Sequence, residues 1–241
     1  CRIDRSVAEQ YFSLPSWIPG SYLLREFARH VVSIRAVSSG REVSMEKVDK
    51  GTWCCRGAET GLTVTMEVSA LDQSVRGAYL DGERSFFNGT CLFLSPLGLE
   101  QEPVELVIEA PDDDRCSAWR VATSMKSVEI DDRGFGRYQA ADYDEFIDHP
   151  FEISDFATMD FSAGGVPHRF VLAGCHETDL ERIVVDLSQL CGAHIRFFGG
   201  TPPFPSYAFL GLAVGKGYGG LEHRASSSLI FSRDDLPKPG E

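Results

Sequence analysis

Short apolar runs separated by turn residues recur about every 8–12 residues through roughly the first 160 positions, a spacing typical of all-β folds. In the clearest run, residues 62–68, four apolar side chains (Leu62, Val64, Met66 and Val68) alternate with polar ones. Such alternation predicts a strand with one buried face. The same signals predict strands at residues 31–37, 43–47, 52–56, 86–87, 91–94 and 104–109. Because no helical period interrupts this series, we expect an antiparallel β-sandwich or saddle.

A helical period follows in the last third of the chain. Thr178 and Glu181 have the spacing of a capping box, which predicts the start of a helix. An apolar stripe at helical spacing continues from there, formed by Leu180, Ile183, Val184, Leu187, Leu190, Cys191 and Ile195. We expect the helix to end near Gly199 and Gly200, ahead of two prolines. Strands are predicted on either side of it, at residues 167–174 and 207–214.

These signals predict a mainly β chain, α+β overall, in two domains. Residues 1–163 are expected to form the N-terminal antiparallel domain. Residues 164–241 are expected to form a β-rich lobe with one long helix. The chain of 241 residues is long enough for this division.

Two adjacent glycines, Gly219 and Gly220, precede a predicted strand that carries Glu222 and Arg224 on one face and His223 on the other. This strand is expected to pair with the strand at 207–214. Glycine has no Cβ, so another backbone can lie close to it, as when a peptide adds to a sheet edge. A glutamate directly after the pair is well placed to bind the free ammonium of that peptide. The alternative is an ordinary strand whose glutamate and arginine pair at the surface.

Residues 219–224, Gly-Gly-Leu-Glu-His-Arg, resemble the signature of the glycyl aminopeptidase family. Two further segments resemble the same family: Trp-Ile-Pro-Gly-Ser-Tyr at 17–22 and Tyr-Asp-Glu-Phe-Ile-Asp-His-Pro at 143–150. The family comprises zinc metallopeptidases with a thermolysin-like (gluzincin) catalytic domain. The resemblance implies that Glu222 holds the α-amino group of a peptide substrate beside His223. It also implies that the two glycines line the bound backbone, and that N-terminal glycine or alanine is preferred.

Each of the other two segments also has a purely structural interpretation. An aromatic–proline cluster such as residues 17–22 commonly packs the edge of a domain. The acidic run at 142–150 is interpreted as an extended linker between the domains, since Pro150 disfavours helix before it. Asp148 and His149 could instead form a metal-ligand pair or an acid–base dyad, although adjacent residues of an extended chain point apart.

Asn88, Gly89 and Thr90 fit the N-glycosylation sequon, but Asn-Gly is also a preferred hairpin turn, and the turn is the favoured interpretation. By analogy with larger relatives of the family, Asn88 is a further candidate to line the substrate cleft.

A complete zinc site is missing from the sequence. Gluzincins use H-E-x-x-H on a helix, whereas no two of the six histidines here are four residues apart. Residues 176–180, His-Glu-Thr-Asp-Leu, begin like the motif but end in leucine. We therefore expect no catalytic residue and no metal ligand in this chain. The expectation is an N-terminal piece of a longer peptidase that carries the zinc elsewhere, so that this piece alone is inactive and zinc-free.

A rival hypothesis is a non-catalytic β-sandwich module that binds a partner or serves as a scaffold. An H-E-x-x-H motif shortly after residue 241 would distinguish the peptidase from this module.

Composition limits the partners and the compartment. The formal charge of −13 argues against nucleic acid, because phosphate binding needs basic surface. No run approaches the ~20 apolar residues of a membrane span, and no signal-peptide core occurs near the start. Seven cysteines without a C-x-x-C pair favour reduced thiols and the cytoplasm, with the periplasm left open. A homodimer through the exposed face of the second lobe is a further expectation.

Overall fold

The computed structural model describes residues 1–5, 7–58 and 61–240. The strands are, in chain order, β1 (Arg2–Ile3), β2 (Glu9–Ser13), β3 (Val31–Ser38), β4 (Arg41–Lys47), β5 (Thr52–Arg56), β6 (Leu62–Val68), β7 (Ala78–Leu80), β8 (Arg84–Phe87), β9 (Ser95–Pro96), β10 (Val104–Ile108), β11 (Arg120–Ala122), β12 (Lys126–Ile130), β13 (Gly136–Ala140), β14 (Phe151–Ser154), β15 (Ala157–Ala163), β16 (Val166–Ala173), β17 (Tyr207–Val214), β18 (Gly219–Glu222) and β19 (Ser226–Ser232). The α-helices are α1 (Gly89–Leu92), α2 (Tyr143–Ile147) and α3 (Leu180–Phe197), and short 3₁₀ turns occur at Phe27–His30, Asp114–Cys116 and Arg233–Asp235.

Strands β1 to β14 form three antiparallel sheets. Their orders are β1-β6-β3-β4-β5-β2-β9, β10-β13-β12 and β11-β14-β8-β7. Strand β6 shows why the alternating runs fold this way: Leu62 and Val64 are buried, whereas Thr63 and Thr65 are exposed. The predicted mainly β class with an antiparallel N-terminal part is confirmed. We call these three sheets, with α1 and α2, the N-terminal body.

One predicted strand is wrong. Residues 91–94 were expected to be β structure, but α1 occupies Gly89–Leu92. A Cβ at Gly89 would come within 2.7 Å of the Ile147 Cα, so this turn packs tightly against the end of α2. The side chains of Thr90 and Cys91 are buried. A short buried run has no visible period, which is why the sequence did not distinguish a helical turn from a strand.

The remaining strands form one five-stranded sheet in the order β15-β16-β17-β19-β18. Strands β15 and β16 are an antiparallel hairpin, whereas β16, β17 and β19 run parallel. Helix α3 makes the crossover that the parallel β16–β17 pair requires. The predicted boundary after residue 163 falls in the turn of the β15–β16 hairpin. This sheet therefore begins before that boundary, at Ala157.

Strand β18 pairs with β19 and not, as expected, with β17. The chain reverses at residues 223–225, where the His223 N–H donates to the Ser226 carbonyl at 2.8 Å. The predicted single alternating strand is therefore a hairpin. Leu221 and Ser228, expected on opposite faces, lie opposite each other in register and share a face.

The five-stranded sheet is covered on both faces. On one face Val171, Leu210 and Leu212 pack against Ala122 and Phe156 of the N-terminal body. On the other face Phe170, Leu172 and Ala213 pack against the apolar stripe of α3, including Leu180, Ile183, Val184 and Leu187. The predicted apolar stripe is confirmed at these four positions, but Leu190 is 52% exposed. The sheet thus joins the N-terminal body to the helix.

The end of α3 agrees with the prediction, but its start does not. After the helix, Gly199 and Gly200 adopt positive φ, and the Gly200 N–H donates to the Ile195 carbonyl. The N-cap is Asp179, whose carboxylate accepts the Arg182 N–H at 3.0 Å. The capping box at Thr178 is therefore wrong by one residue, since a carboxylate at the next position makes the same kind of bond.

Replacing the N-cap Asp179 by alanine is expected to lower the free energy of unfolding by about 1 kcal/mol, because one N–H of the first turn loses its acceptor. The matched control is Thr178→Ala, the residue that the sequence pattern selected. We expect the control to change stability by less than about 0.5 kcal/mol. Urea unfolding of both variants measures the difference in stability. A larger loss of stability for Thr178→Ala would show that Thr178 is the N-cap, as the capping box predicted.

Within the described residues, no helix has the length and apolar character needed to cross a bilayer. Exposed apolar side chains do occur on and after α3, namely Val185, Leu190, Phe197 and Phe198. The predicted homodimer through this lobe stays a prediction.

Candidate functional site

The glycine pair lies on an edge strand. Gly219 and Gly220 open β18, which bonds to β19 on one side only within its sheet. Side chains alternate along β18: Leu221 is buried in the core of the N-terminal body, whereas Glu222 is exposed. In register, Glu222 lies opposite Ser227, whose Oγ is 2.6 Å from the Tyr207 hydroxyl. The exposed side chain of Glu222 therefore lies on the face of the sheet that carries α3.

The turn after Glu222 is held by Asp148. The Asp148 carboxylate accepts the Arg224 N–H at 2.9 Å, and its other oxygen lies 3.2 Å from His223 Nδ1. Burial of this carboxyl opposes ionisation, but the hydrogen bonds from His223 and Arg224 outweigh it and lower the pKa of Asp148. The alternative surface pair between Glu222 and Arg224 does not form among the described residues. The backbone around position 222 is thus fixed by a charge-assisted contact.

The segment at 17–22 reaches the same point. Gly20 has a φ of +82°, and a Cβ there would lie 2.8 Å from Leu221 Cδ1 and 3.5 Å from the Glu222 carboxyl carbon. The Ser21 N–H donates to the Ile18 carbonyl, and the Trp17 indole N–H donates to the Ser21 carbonyl, so the segment closes on itself. Ile18 is fully buried beside Leu221 in the same core. Glycine is required at position 20 because both the backbone conformation and the space exclude a side chain.

A loop of the N-terminal body braces the glycine pair. The Arg76 Nη2 donates to the Gly220 carbonyl at 3.1 Å, and Val75 Cγ1 lies 3.5 Å from the Cβ position of Gly219. A carbonyl oxygen has two lone pairs, so Gly220 keeps one acceptor position beside this bond. The edge of β18 is therefore partly covered by Arg76 but is not closed.

Asn88 holds the loop at 75–77 through its side-chain amide. Its side-chain amide donates to the carbonyls of Val75 at 2.9 Å and Gly77 at 3.2 Å, and the residue is completely buried. The hairpin-turn interpretation is wrong, since Asn88 connects β8 to α1. The predicted contact of Asn88 with substrate stays a prediction; in this structure the buried side chain bonds to the loop at 75–77.

His223 lies inside the protein, next to Asp148. Its side chain is 0% exposed and faces Asp148, because the hairpin turns it toward the N-terminal body. Its Nε2 has no hydrogen-bond partner within the described part of the chain. The imidazole is buried in this structure, and the predicted contact of His223 with substrate stays a prediction.

Within the acidic run at 142–150, residues Tyr143–Ile147 form the short helix α2, so the predicted extended linker is wrong. Asp142 caps α2 through the Glu145 N–H at 2.8 Å, and the chain then returns to the N-terminal body as β14. Asp148 and His149 point apart, as expected, since His149 Nδ1 is 2.8 Å from Ser124 Oγ. Burial lowers the pKa of His149. With their side chains directed to different partners, the two residues form neither a ligand pair nor a dyad.

The donor set for a metal was tested on the residues present. Residues 1–5, 7–58 and 61–240 contain no group of three or more His, Cys, Asp or Glu side chains that could hold an ion. These residues therefore do not fit the zinc that the peptidase resemblance implies, and no step is derived through a metal.

Sequence reasoning missed two contributors to the site. Arg76 carries no local signal, because its partner Gly220 lies far along the chain. Asp148 lies in one of the segments that resemble the family, but only the fold shows that its partners are His223 and Arg224. The three resembling segments thus converge on Glu222: residues 17–22 from one side, Asp148 from another, and β18 itself.

Comparison with known proteins places this geometry in a family. A sequence profile described as the Peptidase M61 N-terminal domain matches residues 1–155. A crystal structure of an aminopeptidase N family protein from Idiomarina loihiensis is 40% identical, with a TM-score of 0.95 over 100% of this chain. The chain spans 40% of that protein's length.

A second solved structure, an M1 zinc metallopeptidase from Deinococcus radiodurans, shares the fold at 13% identity and a TM-score of 0.51. The alignment covers 94% of this chain and 53% of that one. A search of curated proteins gave no match. The profile match extends through the N-terminal body, including the segments at 17–22 and 143–150, and confirms the predicted peptidase family. The chain belongs to the Peptidase M61 N-terminal domain family.

Proposed function

We propose that this chain is the part of a metallo-aminopeptidase that binds the amino end of a peptide substrate. Glu222 is the anchor for the substrate ammonium, and Gly219 and Gly220 receive the first stretch of its backbone. The observation that carries the proposal is an exposed carboxylate at the end of a glycine-opened edge strand. All three family-like segments meet around β18 and the turn that follows it.

The chemistry of the site fits an exopeptidase. An ionised carboxylate binds an ammonium through charge-assisted hydrogen bonds, whereas a blocked terminus offers one amide N–H and no charge, so it is bound more weakly. An extended peptide can pair with the free side of β18, and the absence of Cβ atoms at the two glycines leaves room for it. The anchor fixes the distance between the amino end and any bond to be cut, so hydrolysis is limited to the first residue.

The finer parts of the proposal come from the family resemblance. Glycine and alanine are the proposed N-terminal residues of the substrate. Zinc is the proposed metal of the whole peptidase, held outside residues 1–241. The chain alone is then expected to be inactive, since the residues that the structure describes contain no group of three or more His, Cys, Asp or Glu side chains that could hold the metal. An H-E-x-x-H motif encoded after position 241 supports this arrangement, and an unrelated continuation contradicts it.

Replacing Glu222 by glutamine tests the anchor in the protein expressed from its complete reading frame. We expect the KM for glycyl p-nitroanilide to rise by about tenfold to hundredfold, because a charge-assisted hydrogen bond to the ammonium is lost. N-acetylglycyl p-nitroanilide should not be cleaved by either enzyme. The matched control is Glu42→Gln, an exposed glutamate on β4. Equal kinetics for Glu222→Gln and the control contradict the proposal.

A further inference from the structure

One residue of the N-terminal body holds the turn that follows Glu222. Residues 223–225 lie outside regular strand pairing, so β18 ends at Glu222. Two of the three turn residues, His223 and Arg224, bond to the same carboxylate, that of Asp148. The orientation of a side chain at the end of a short edge strand depends on the contacts that fix the backbone of the residues after it. Here that support comes from Asp148.

Asp148 is itself rigidly placed. It directly follows α2, whose Tyr143 and Phe146 are buried in the core of the N-terminal body. The neighbouring residue His149 is buried and bonded to Ser124. Only 14% of the Asp148 side chain is exposed. A carboxylate held in this way fixes the turn at 223–225 relative to the N-terminal body.

The contact also sets the state of His223. An ionised carboxylate only accepts hydrogen bonds, so Nδ1, the ring nitrogen that faces it, must carry a proton. The ring orientation and the turn are therefore determined together. This coupling joins the segment at 143–150 to the strand at 219–222 through two hydrogen bonds, although the residues are more than seventy positions apart.

We propose that Asp148 is a positioning residue for Glu222. It holds the turn at 223–224 so that the Glu222 carboxylate faces the amino end of a bound peptide. This inference rests on the proposed function, because it assigns a purpose to the place of Glu222. Asp148 acts through the Arg224 N–H and His223 and does not itself contact the peptide.

The test uses the chain of residues 1–241 and three variants, Asp148→Ala, Asp148→Asn and Asp144→Ala. Asp144 is an exposed carboxylate on α2 and serves as the matched control. We expect Asp148→Ala to speed amide hydrogen exchange at Arg224 by about tenfold to hundredfold, the effect of losing a charge-assisted hydrogen bond. The ¹⁵N signals of the His223 ring should lose the pattern of a fixed Nδ1–H tautomer. Asp148→Asn keeps one acceptor oxygen and should restore part of both signals.

The functional readout is a titration with triglycinamide, followed through the ¹³C signal of the Glu222 carboxyl group. Asp148→Ala should weaken binding by about tenfold, Asp148→Asn by less, and Asp144→Ala not at all. Unchanged affinity in Asp148→Ala overturns the positioning role alone. No binding of triglycinamide by the unmutated chain overturns the amine anchor, and the positioning role with it. If Asp148→Ala fails to fold, Asp148→Asn against Asp144→Ala decides by the same criteria.

Discussion

Replacing Glu152 by alanine is expected to lower the free energy of unfolding by about 3–5 kcal/mol, the cost of leaving a buried charge without its partner. Glu152 is 2% exposed. Its carboxylate accepts two hydrogen bonds from Arg84, at 2.5 and 3.2 Å, and one from Ser154 at 2.8 Å. Without the carboxylate, the guanidinium of Arg84 stays buried against Phe86 with no counter-charge.

Urea unfolding of residues 1–241 measures this loss, and an exposed ion pair supplies the control. Glu129 bonds to Arg137 at 2.9 Å but is 76% exposed. Glu129→Ala should change stability by about 0–1 kcal/mol, because solvent screens the pair. The double replacement Arg84→Met with Glu152→Leu should recover most of the loss, since no charge then stays buried. Equal losses for Glu152→Ala and Glu129→Ala contradict this account.

Replacing Gly20 by alanine is expected to cost about 2–5 kcal/mol. About 1–2 kcal/mol of this comes from placing a side chain at positive φ, and about 1–3 kcal/mol from overpacking. The new Cβ would lie 2.8 Å from Leu221 Cδ1 and 3.3 Å from the Glu222 carbonyl oxygen. Relief of these contacts requires the buried Leu221 side chain to repack and the backbone at Glu222 to shift by a few tenths of an ångström, so the position of Glu222 should change slightly together with stability.

The variant Gly40→Ala separates the cost of a side chain at positive φ from the cost of overpacking. The φ of Gly40 is +75°, close to that of Gly20, but a Cβ there has no atom within 4 Å. Gly40→Ala should therefore cost only the backbone part, about 1–2 kcal/mol. The difference between the two variants in thermal or urea unfolding measures the contact with β18. Equal losses of unfolding free energy in the two variants would show that the segment at 17–22 does not pack tightly against β18.

The sequence predicted those elements whose period is set by burial. Strand β6 alternates because one face lies on the core, and α3 carries an apolar stripe because one side lies on the sheet. Tertiary contacts decided the elements that were missed. The tight packing of Gly89 against Ile147 makes a helical turn where a strand was expected, and the bonds to Asp148 accompany a reversal at 223–225 that alternation alone does not reveal.

The candidate site was predictable in its parts but not in its assembly. Glycines followed by a glutamate predicted an edge strand, and β18 is an edge strand that ends at an exposed glutamate. The sequence did not reveal that Asn88 and His223 are buried, because a polar residue near a motif can stabilise the fold from the interior. Arg76 and Asp148 act across long sequence separations, which one sequence without spatial information does not show.

The central claim is that Glu222 binds the amino end of a peptide along the edge of β18. A crystal structure of the chain with bound triglycinamide tests it most directly. The account predicts the terminal ammonium within hydrogen-bond distance of the Glu222 carboxylate and the peptide extended beside Gly219 and Gly220. A peptide whose amino end lies elsewhere, with the Glu222 carboxylate still facing solvent, contradicts it.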